Sequence, residues 1–118
     1  MEKVALELIK TGHAKLEQVN KHGYTALIWA CQNAMKEVAL ELIKTGHAEL
    51  EQVNKHGYTA LIWACEKGMK EVALELIKTG KSNPDQIDKD GNTALIGACK
   101  NSMKEVALEL IKTGHVKL

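Results

Sequence analysis

A phrase of nine residues that mixes apolar and polar positions, VALELIKTG, occurs four times in the chain without a change. Each copy starts 34 residues after the one before it, and the copies occupy positions 4–12, 38–46, 72–80 and 106–114. A fixed period of this size is the sequence signature of a stacked repeat protein, in which each unit packs only against its neighbours.

The repeated phrase predicts an amphipathic helix with an unusually wide apolar face. On a helix wheel the apolar arc spans about 200°, against roughly 100° for an ordinary surface helix. Such a helix needs apolar cover on two sides, and stacked copies of the same unit supply that cover. In the second copy the arc contains Met35, Val38, Ala39, Leu42 and Ile43, with Leu40 at its edge.

A second, shorter apolar stretch predicts a nearly buried helix in each unit. In the first full unit Gly23 is free to take a positive φ in a turn, and Asn20 can hydrogen-bond the turn backbone. Thr25 follows as the expected N-cap. We predict short helices at 26–33, 60–67 and 94–101, and longer helices at 1–11, from Met35 onward, at 70–79 and at 104–113.

These elements predict one all-α domain that covers residues 1–118. It contains a leading half repeat (1–12), three full units (13–46, 47–80 and 81–114) and a partial unit (115–118). The third full unit differs most from the others. It has the only proline, Pro84, and Gly97 stands where the other units have Trp29 and Trp63.

Composition narrows the class of protein. The chain is 45% apolar and 26% charged with a net charge of +1, so we expect it to bury a core rather than to be disordered. Lys and Glu alternate instead of forming a basic cluster, which argues against binding to nucleic acid or to an anionic membrane. No apolar run approaches the roughly 18 residues of a membrane span, and Met1 leads into a charged amphipathic helix rather than a signal peptide. We expect the cytoplasm or another reducing compartment.

The stretch 20–46, NKHGYTALIWACQNAMKEVALELIKTG, resembles an ankyrin repeat. The resemblance implies an all-α, ankyrin-type α-solenoid of helix–turn–helix units with extended connections. Tetratricopeptide repeats also have a 34-residue period, but their two full-length helices fit the Gly-rich connection and short helix poorly. The matching positions are Gly23, Thr25, Leu27, Ala30, Val38, Leu42, Ile43 and Gly46, then Gly57, Thr59, Leu61 and Ala64, then Gly91, Thr93, Leu95 and Ala98.

This chain departs from the family pattern at three points, one of which is that Leu40 and Glu41 invert the usual polar-then-apolar order. Ile28, Ile62 and Ile96 stand where the family has the histidine that ties loop to helix. The period is 34 residues rather than the 33 of ankyrin repeats. These departures concern the geometry of the loops more than the fold.

Histidines and cysteines recur at equivalent positions of the units. Equivalent residues of stacked helices lie about 8–10 Å apart. That spacing is too long for shared zinc ligation at about 2.0–2.3 Å, and it exceeds the roughly 7 Å limit for a disulfide. We therefore predict solvated loop histidines, buried core cysteines, no metal and no cofactor. The residues concerned are His13, His22, His47, His56 and His115, and Cys31, Cys65 and Cys99.

Nothing in the sequence predicts an enzyme. It contains no nucleophile elbow, phosphate loop, HExxH or CxxC motif. Glu37 and Glu41 lie on one polar helical arc, and no apolar pocket is evident that would raise their pKa values. We interpret them as part of a solvated face.

The resemblance implies a partner-binding surface on the concave face, formed by the turn tips and one side of each short helix. Aromatic side chains with polar neighbours suit protein recognition. The alternative is that Trp29 and Trp63 only pack between neighbouring units, since tryptophan is so often mostly buried. The candidate residues are Lys21, His22, Tyr24, Trp29, Gln32, Asn33, Lys55, His56, Tyr58, Trp63, Glu66, Lys67, Asp90 and Asn92.

Two functions remain open at this point. One is a non-catalytic scaffold for protein–protein interaction. The other is an engineered, consensus-type or recently duplicated repeat with no natural partner, which the near-identity of the units favours. The terminal helices carry the same apolar set as the internal ones and lack polar capping repeats. We therefore also expect a homo-oligomer that forms through the ends, and favour a twofold dimer.

Overall fold

The computed structural model describes residues 20–45 and 50–113. These residues form six α-helices in three short–long pairs and contain no strand. The helix predicted at 1–11, the ends of the predicted repeats at 114–118, and His13, His47 and His115 lie outside the described residues. The helices are α1 (Ala26–Gln32), α2 (Lys36–Thr45), α3 (Ala60–Glu66), α4 (Lys70–Thr79), α5 (Ala94–Lys100) and α6 (Lys104–Lys112).

Each short helix begins at a threonine cap, as predicted for Thr25. The Thr25 hydroxyl oxygen accepts a hydrogen bond from the backbone N–H of Ile28 at 3.1 Å. Thr59 and Thr93 make the same contact with the third residue of their helices. The short helices end one residue earlier than predicted because the last expected residue, Asn33 in the first unit, is the C-cap.

A single residue with a left-handed backbone turns each short helix into the long helix. These residues are Ala34 at φ 55°, Gly68 at φ 67° and Ser102 at φ 56°. The methionine after each one donates its backbone N–H to a carbonyl in the last turn of the short helix, at 2.8 Å. The hydrogen bond closes the helix end, and it orients the chain for the long helix.

The helices pack in two rows, with the core between them. Short helices α1, α3 and α5 lie side by side, as do long helices α2, α4 and α6, and each short helix packs on its own long helix. Val38, Ala39, Leu42 and Ile43 of the long α2 helix are buried, which confirms the wide apolar face. Exposed ion pairs of 2.7 Å link the first turns of successive long helices, Lys36 to Glu71 and Lys70 to Glu105.

The turn tips form a ladder at the opposite end of the helix pairs. The side-chain oxygen of Asn20 accepts hydrogen bonds from the backbone N–H groups of His22 and Tyr24, as predicted. Successive tips are joined by backbone hydrogen bonds, from Lys55 N–H to the His22 carbonyl at 2.9 Å and from Lys89 N–H to the His56 carbonyl at 2.8 Å. Each tip therefore positions the next one.

The cysteines do not all lie in the core. Cys31 and Cys65 are buried, and loss of hydration raises the pKa of each thiol to about 12. Cys99, at the equivalent position of α5, is exposed. The prediction of a buried thiol is wrong there because, in the part of the chain that the structure describes, no further unit packs on this side of α5.

Candidate interaction surface

Two stacked pairs of aromatic rings lie where the turn tips meet the short helices. The rings of Tyr24 and Trp29 have centroids 4.5 Å apart and planes 22° apart. Tyr58 and Trp63 repeat the arrangement at 4.4 Å and 18°. The tyrosine directly precedes the capping threonine and the tryptophan is the fourth helical residue, so the cap holds both rings in register. We call these four residues the aromatic face.

The two tryptophans differ in exposure. Trp29 is 45% exposed, whereas Trp63 is half-buried. The ammonium group of Lys67 lies 5.4 Å from the centroid of the Trp63 ring, within the range of a cation–π contact. Each tryptophan thus stacks on the tyrosine of its own unit, and the Trp29 ring also presents apolar surface to solvent.

Carboxylates of Asp88, Asp90 and Glu66 lie near the Tyr58 end of the aromatic face, where loss of hydration raises the pKa of Tyr58 and these charges raise it further. The turn tips add basic groups to the rim of this face. Lys21, Lys55 and Lys89 are exposed there, and His22 and His56 are half-buried beside them. Loss of hydration lowers the pKa of His56, and the nearby charges of Lys89 and Lys55 lower it further. The lower pKa favours the neutral imidazole of His56, which can both donate and accept a hydrogen bond.

The last unit does not extend the aromatic face. Asn92 and Gly97 stand where the other units have tyrosine and tryptophan. A Cβ on Gly97 would lie 3.2 Å from the Cβ of Cys65, so the glycine allows α5 to approach α3 closely. Asn101 donates its side-chain amide to the carbonyls of Cys65 at 2.8 Å and Glu66 at 3.1 Å. This bridge between units gives the C-terminal end of α3 a partner, and sequence reasoning missed it.

The other predicted residues differ in whether the protein already satisfies their polar groups. Several make hydrogen bonds or ion pairs within the protein. Asn33 donates its side-chain amide to the Trp29 carbonyl at 2.9 Å, and a Glu66 oxygen lies 3.8 Å from the ammonium group of Lys100. The backbone N–H groups of Asp90 and Asn92 donate to the Asp88 carboxylate. The side-chain oxygen of Gln32 is buried without a hydrogen-bond partner in the described structure.

Two further features bear on the class of site. Among residues 20–45 and 50–113, no cluster of three or more His, Cys, Asp or Glu side chains could hold a metal ion. Within the same residues, no helix is both long enough and apolar enough to cross a membrane.

Comparison with known proteins adds one finding. A family model described as ankyrin repeats, with three copies, matches residues 2–88 and 39–118. Together these two matches cover nearly the whole chain. A search of curated proteins finds no match.

Proposed function

Because the chain belongs to the ankyrin-repeat family, which marks it as a protein-interaction repeat domain, we propose that it is a non-catalytic scaffold whose aromatic face and basic turn tips bind a protein partner. One observation carries the proposal: Trp29 is 45% exposed while its ring is held against Tyr24. A rigid, exposed aromatic ring loses little conformational freedom on binding, and tryptophan and tyrosine are enriched at binding hot spots.

The surroundings of the ring support the same proposal. Lys21 and Lys55 place positive charge around the aromatic face, and His22 and His56 add hydrogen-bonding groups. A patch with an aromatic centre and a polar rim is the usual anatomy of a protein interface. A partner segment that offers apolar side chains flanked by carboxylates would match the end of this patch that Tyr24, Trp29 and Lys21 form, since the carboxylates of Asp88, Asp90 and Glu66 lie near the Tyr58 end.

Peptides selected from a phage-displayed random library against the folded protein test this proposal. Truncation of a hot-spot tryptophan typically costs about 2 kcal/mol or more, so Trp29→Ala should weaken the selected peptides at least about tenfold. The matched control is Ile87→Ala, which removes an exposed apolar side chain outside the aromatic face. Equal binding to wild type and Trp29→Ala would reject the aromatic face as the binding site.

A second candidate is self-association, which the exposed side of the last helix pair favours. Leu108 is 47% exposed and Ile111 45% exposed on α6, and Ile96 is 45% exposed on α5. We propose that a second copy of the chain covers this surface, since in the preceding units the equivalent side chains pack against a unit of nearly the same sequence. On this proposal the chain is a designed or recently duplicated repeat whose partner is another copy of itself.

Sedimentation velocity from low to several hundred micromolar protein distinguishes the two candidates. Self-association predicts a concentration-dependent dimer that Leu108→Glu abolishes, while the control Ile87→Glu leaves it intact. A strict monomer at every concentration would reject the second candidate and leave the first standing.

We also propose a reducing compartment for the protein. Its three cysteines are free, and Cys99 exposes its thiol to solvent. Free thiols persist mainly in such compartments.

A further inference from the structure

Contacts between successive units have a direction. Where two turn tips meet, a backbone N–H of the later unit donates to a carbonyl of the earlier one, as Lys89 does to His56 at 2.8 Å. Where two long helices meet, the carboxylate belongs to the later unit and the ammonium group to the earlier one, as in the pair of Glu105 and Lys70. Each unit therefore has an N-terminal side, which faces the preceding unit, and a C-terminal side, which carries different groups.

The side-chain bridge of Asn101 follows the same direction. Its amide reaches from the end of α5 to two backbone carbonyls at the end of the preceding short helix, at 2.8 and 3.1 Å. The first full unit has an asparagine at the equivalent position, Asn33, whereas the middle unit has Lys67. The Asn33 amide donates to the Trp29 carbonyl of its own helix and to no other unit in the described structure. The first full unit thus has a bridging residue without a unit to bridge to.

The two outermost sides of the described stack carry the remaining contact groups without partners. On the N-terminal side of the first full unit, the Lys21 backbone N–H and the Glu37 carboxylate make no hydrogen bond or ion pair to another unit among the described residues. On the C-terminal side of the last unit, the same holds for the Asp90 carbonyl and the Lys104 ammonium group. Each side therefore has the groups that the other side lacks.

Apolar surface accompanies these polar groups on both sides. On the C-terminal side of the last unit, Ile96 is 45% exposed and Leu108 is 47% exposed. On the N-terminal side of the first full unit, Trp29 is 45% exposed. The position of Trp29 faces the preceding unit, because a Cβ on the equivalent Gly97 would lie only 3.2 Å from a side chain of α3. Burial of apolar surface would therefore add to the polar contacts if the two sides met.

We propose that copies of the chain stack head to tail, with the N-terminal side of the first full unit of one copy on the C-terminal side of the last unit of another. The proposal rests on the self-association proposed above and names its interface. The Asn33 amide then donates to the carbonyls at the end of α5, and Glu37 accepts the Lys104 ammonium group. The Lys21 N–H donates to the Asp90 carbonyl, so all three internal contacts are repeated between chains. A twofold contact would join two C-terminal sides and would pair none of these groups.

Residues 1–12 of the same chain are the competing cover for α2, since they repeat the long-helix phrase. At the position where Lys36 and Lys70 provide the ammonium group of the internal ion pairs, however, this segment has Glu2. It therefore offers Glu37 a like charge, whereas Lys104 of a second copy offers the opposite charge. Residues 1–19 also contain no copy of the short-helix sequence that could cover α1. A second copy supplies both a matching long helix and a short one.

Exchange of charge between two variants tests the direction of the contact. In sedimentation velocity up to several hundred micromolar, the wild-type protein should form dimers and then longer species, because a head-to-tail contact leaves a free side at each end. Lys104→Glu and Glu37→Lys should each weaken this association several-fold, since each places like charges at the contact. An equimolar mixture of the two variants should recover it, because the exchanged charges then face one another and the unchanged ones do so at the next contact.

Asn33→Ala tests the amide bridge independently of charge. Loss of these hydrogen bonds should weaken association about twofold to tenfold. The matched control is Lys67→Ala at the equivalent exposed position of the middle unit, which should leave association unchanged.

Three results would overturn the head-to-tail contact while self-association itself remains. They are a dimer that does not grow into longer species, a mixture of the charge variants that associates no better than its components, and equal association of Asn33→Ala and Lys67→Ala. A wild-type protein that stays monomeric at every concentration would reject self-association as a whole.

Discussion

The middle unit, described at residues 50–80, and the last unit, at residues 84–113, have nearly the same local structure but very different burial. Both have a threonine cap, a left-handed turn residue and a KEVALELIK long helix. Yet Ile62 is 1% exposed and its equivalent Ile96 is 45% exposed. The thiols differ in the same way, since Cys65 is buried and Cys99 is exposed.

The comparison shows that each unit specifies its own helices, while the next unit supplies its burial. This is the behaviour expected of a quasi-one-dimensional protein, whose stability is a sum of unit terms and nearest-neighbour interface terms. The same substitution made in the two units therefore measures the interface term directly. Four pairs of experiments use this property, in order of decreasing expected effect.

Thiol modification should show the largest difference. Loss of hydration raises the pKa of Cys65 from 9.0 to about 12, with a smaller contribution from the charge of Glu66. Only the thiolate reacts, and each pKa unit lowers its fraction tenfold, so Cys65 should react at least about a thousandfold more slowly than an ordinary thiol. Cys99 is exposed and should be modified first. Mass spectrometry of peptides after timed labelling measures both rates, and the difference should vanish in denaturant. Comparable rates in the folded protein would contradict the burial of α3.

Truncation of the equivalent isoleucines should give the next largest difference. Ile62→Ala removes a fully buried side chain and should lower the free energy of unfolding by about 2–5 kcal/mol. Ile96→Ala removes a half-exposed one and should cost less than about 1 kcal/mol. Chemical denaturation of both variants gives the two values. Equal losses would mean that the side of α5 which carries Ile96 is covered in solution.

The turn glycines form a third pair. Gly57 and Gly91 have φ values of 82° and 81°, so alanine is strained by about 1–2 kcal/mol at either position. At Gly57 a Cβ would also lie 2.9 Å from the Asp88 Cα and from the Ile87 carbonyl oxygen, whereas at Gly91 nothing lies within 4 Å. Gly57→Ala should therefore cost about 1–2 kcal/mol more than Gly91→Ala in urea denaturation. A Gly91→Ala variant that is as unstable as Gly57→Ala would show that another chain segment packs against the last tip.

The ion pairs should give the smallest difference. Lys70 bonds Glu105 of the next unit, whereas Lys104 makes no ion pair within the described residues. Lys70→Met should lower the urea midpoint slightly and Lys104→Met should leave it unchanged, because exposed pairs contribute little. The hydrogen bond and charge of Lys70 hold the pKa of Glu105 below 4.5. The stabilisation is therefore present above pH 4.5, and it is lost as the pH falls through the lower, folded-state pKa. A difference between the variants that persists at pH 2 would have another cause.

The predictable part of the fold is its local part. The threonine cap, the Asn20 turn and the wide apolar arc all depend on residues within one unit, and the structure confirms each of them. The ankyrin-repeat resemblance is confirmed by the family model. These features can be predicted from the sequence because residues a few positions apart in the chain determine them.

The parts that sequence reasoning missed depend on contacts between units or on backbone direction. The exposure of Cys99 and the Asn101 bridge to α3 both need the position of a neighbouring unit. The stacking of Tyr24 on Trp29 depends on how the chain bends at the cap, which residue types alone do not give. The list of candidate binding residues therefore included both tyrosines and both tryptophans without the stacking that joins them, and their role in binding stays a prediction.

Hydrogen bonds and ion pairs between successive units lie at the two ends of each helix pair. At one end Lys55 N–H bonds the His22 carbonyl, and at the other the Lys36 ammonium bonds the Glu71 carboxylate. In a row of units joined at one end only, the separation of the units at the other end could change freely. Because both ends are joined, a bend that spreads the units at one end stretches the contact there and compresses the contact at the other end. The spacing of successive units is therefore restrained at both ends, and a partner that needs a flatter or tighter arc would have to stretch one of these two rows of contacts, the exposed ion pairs more easily than the backbone hydrogen bonds.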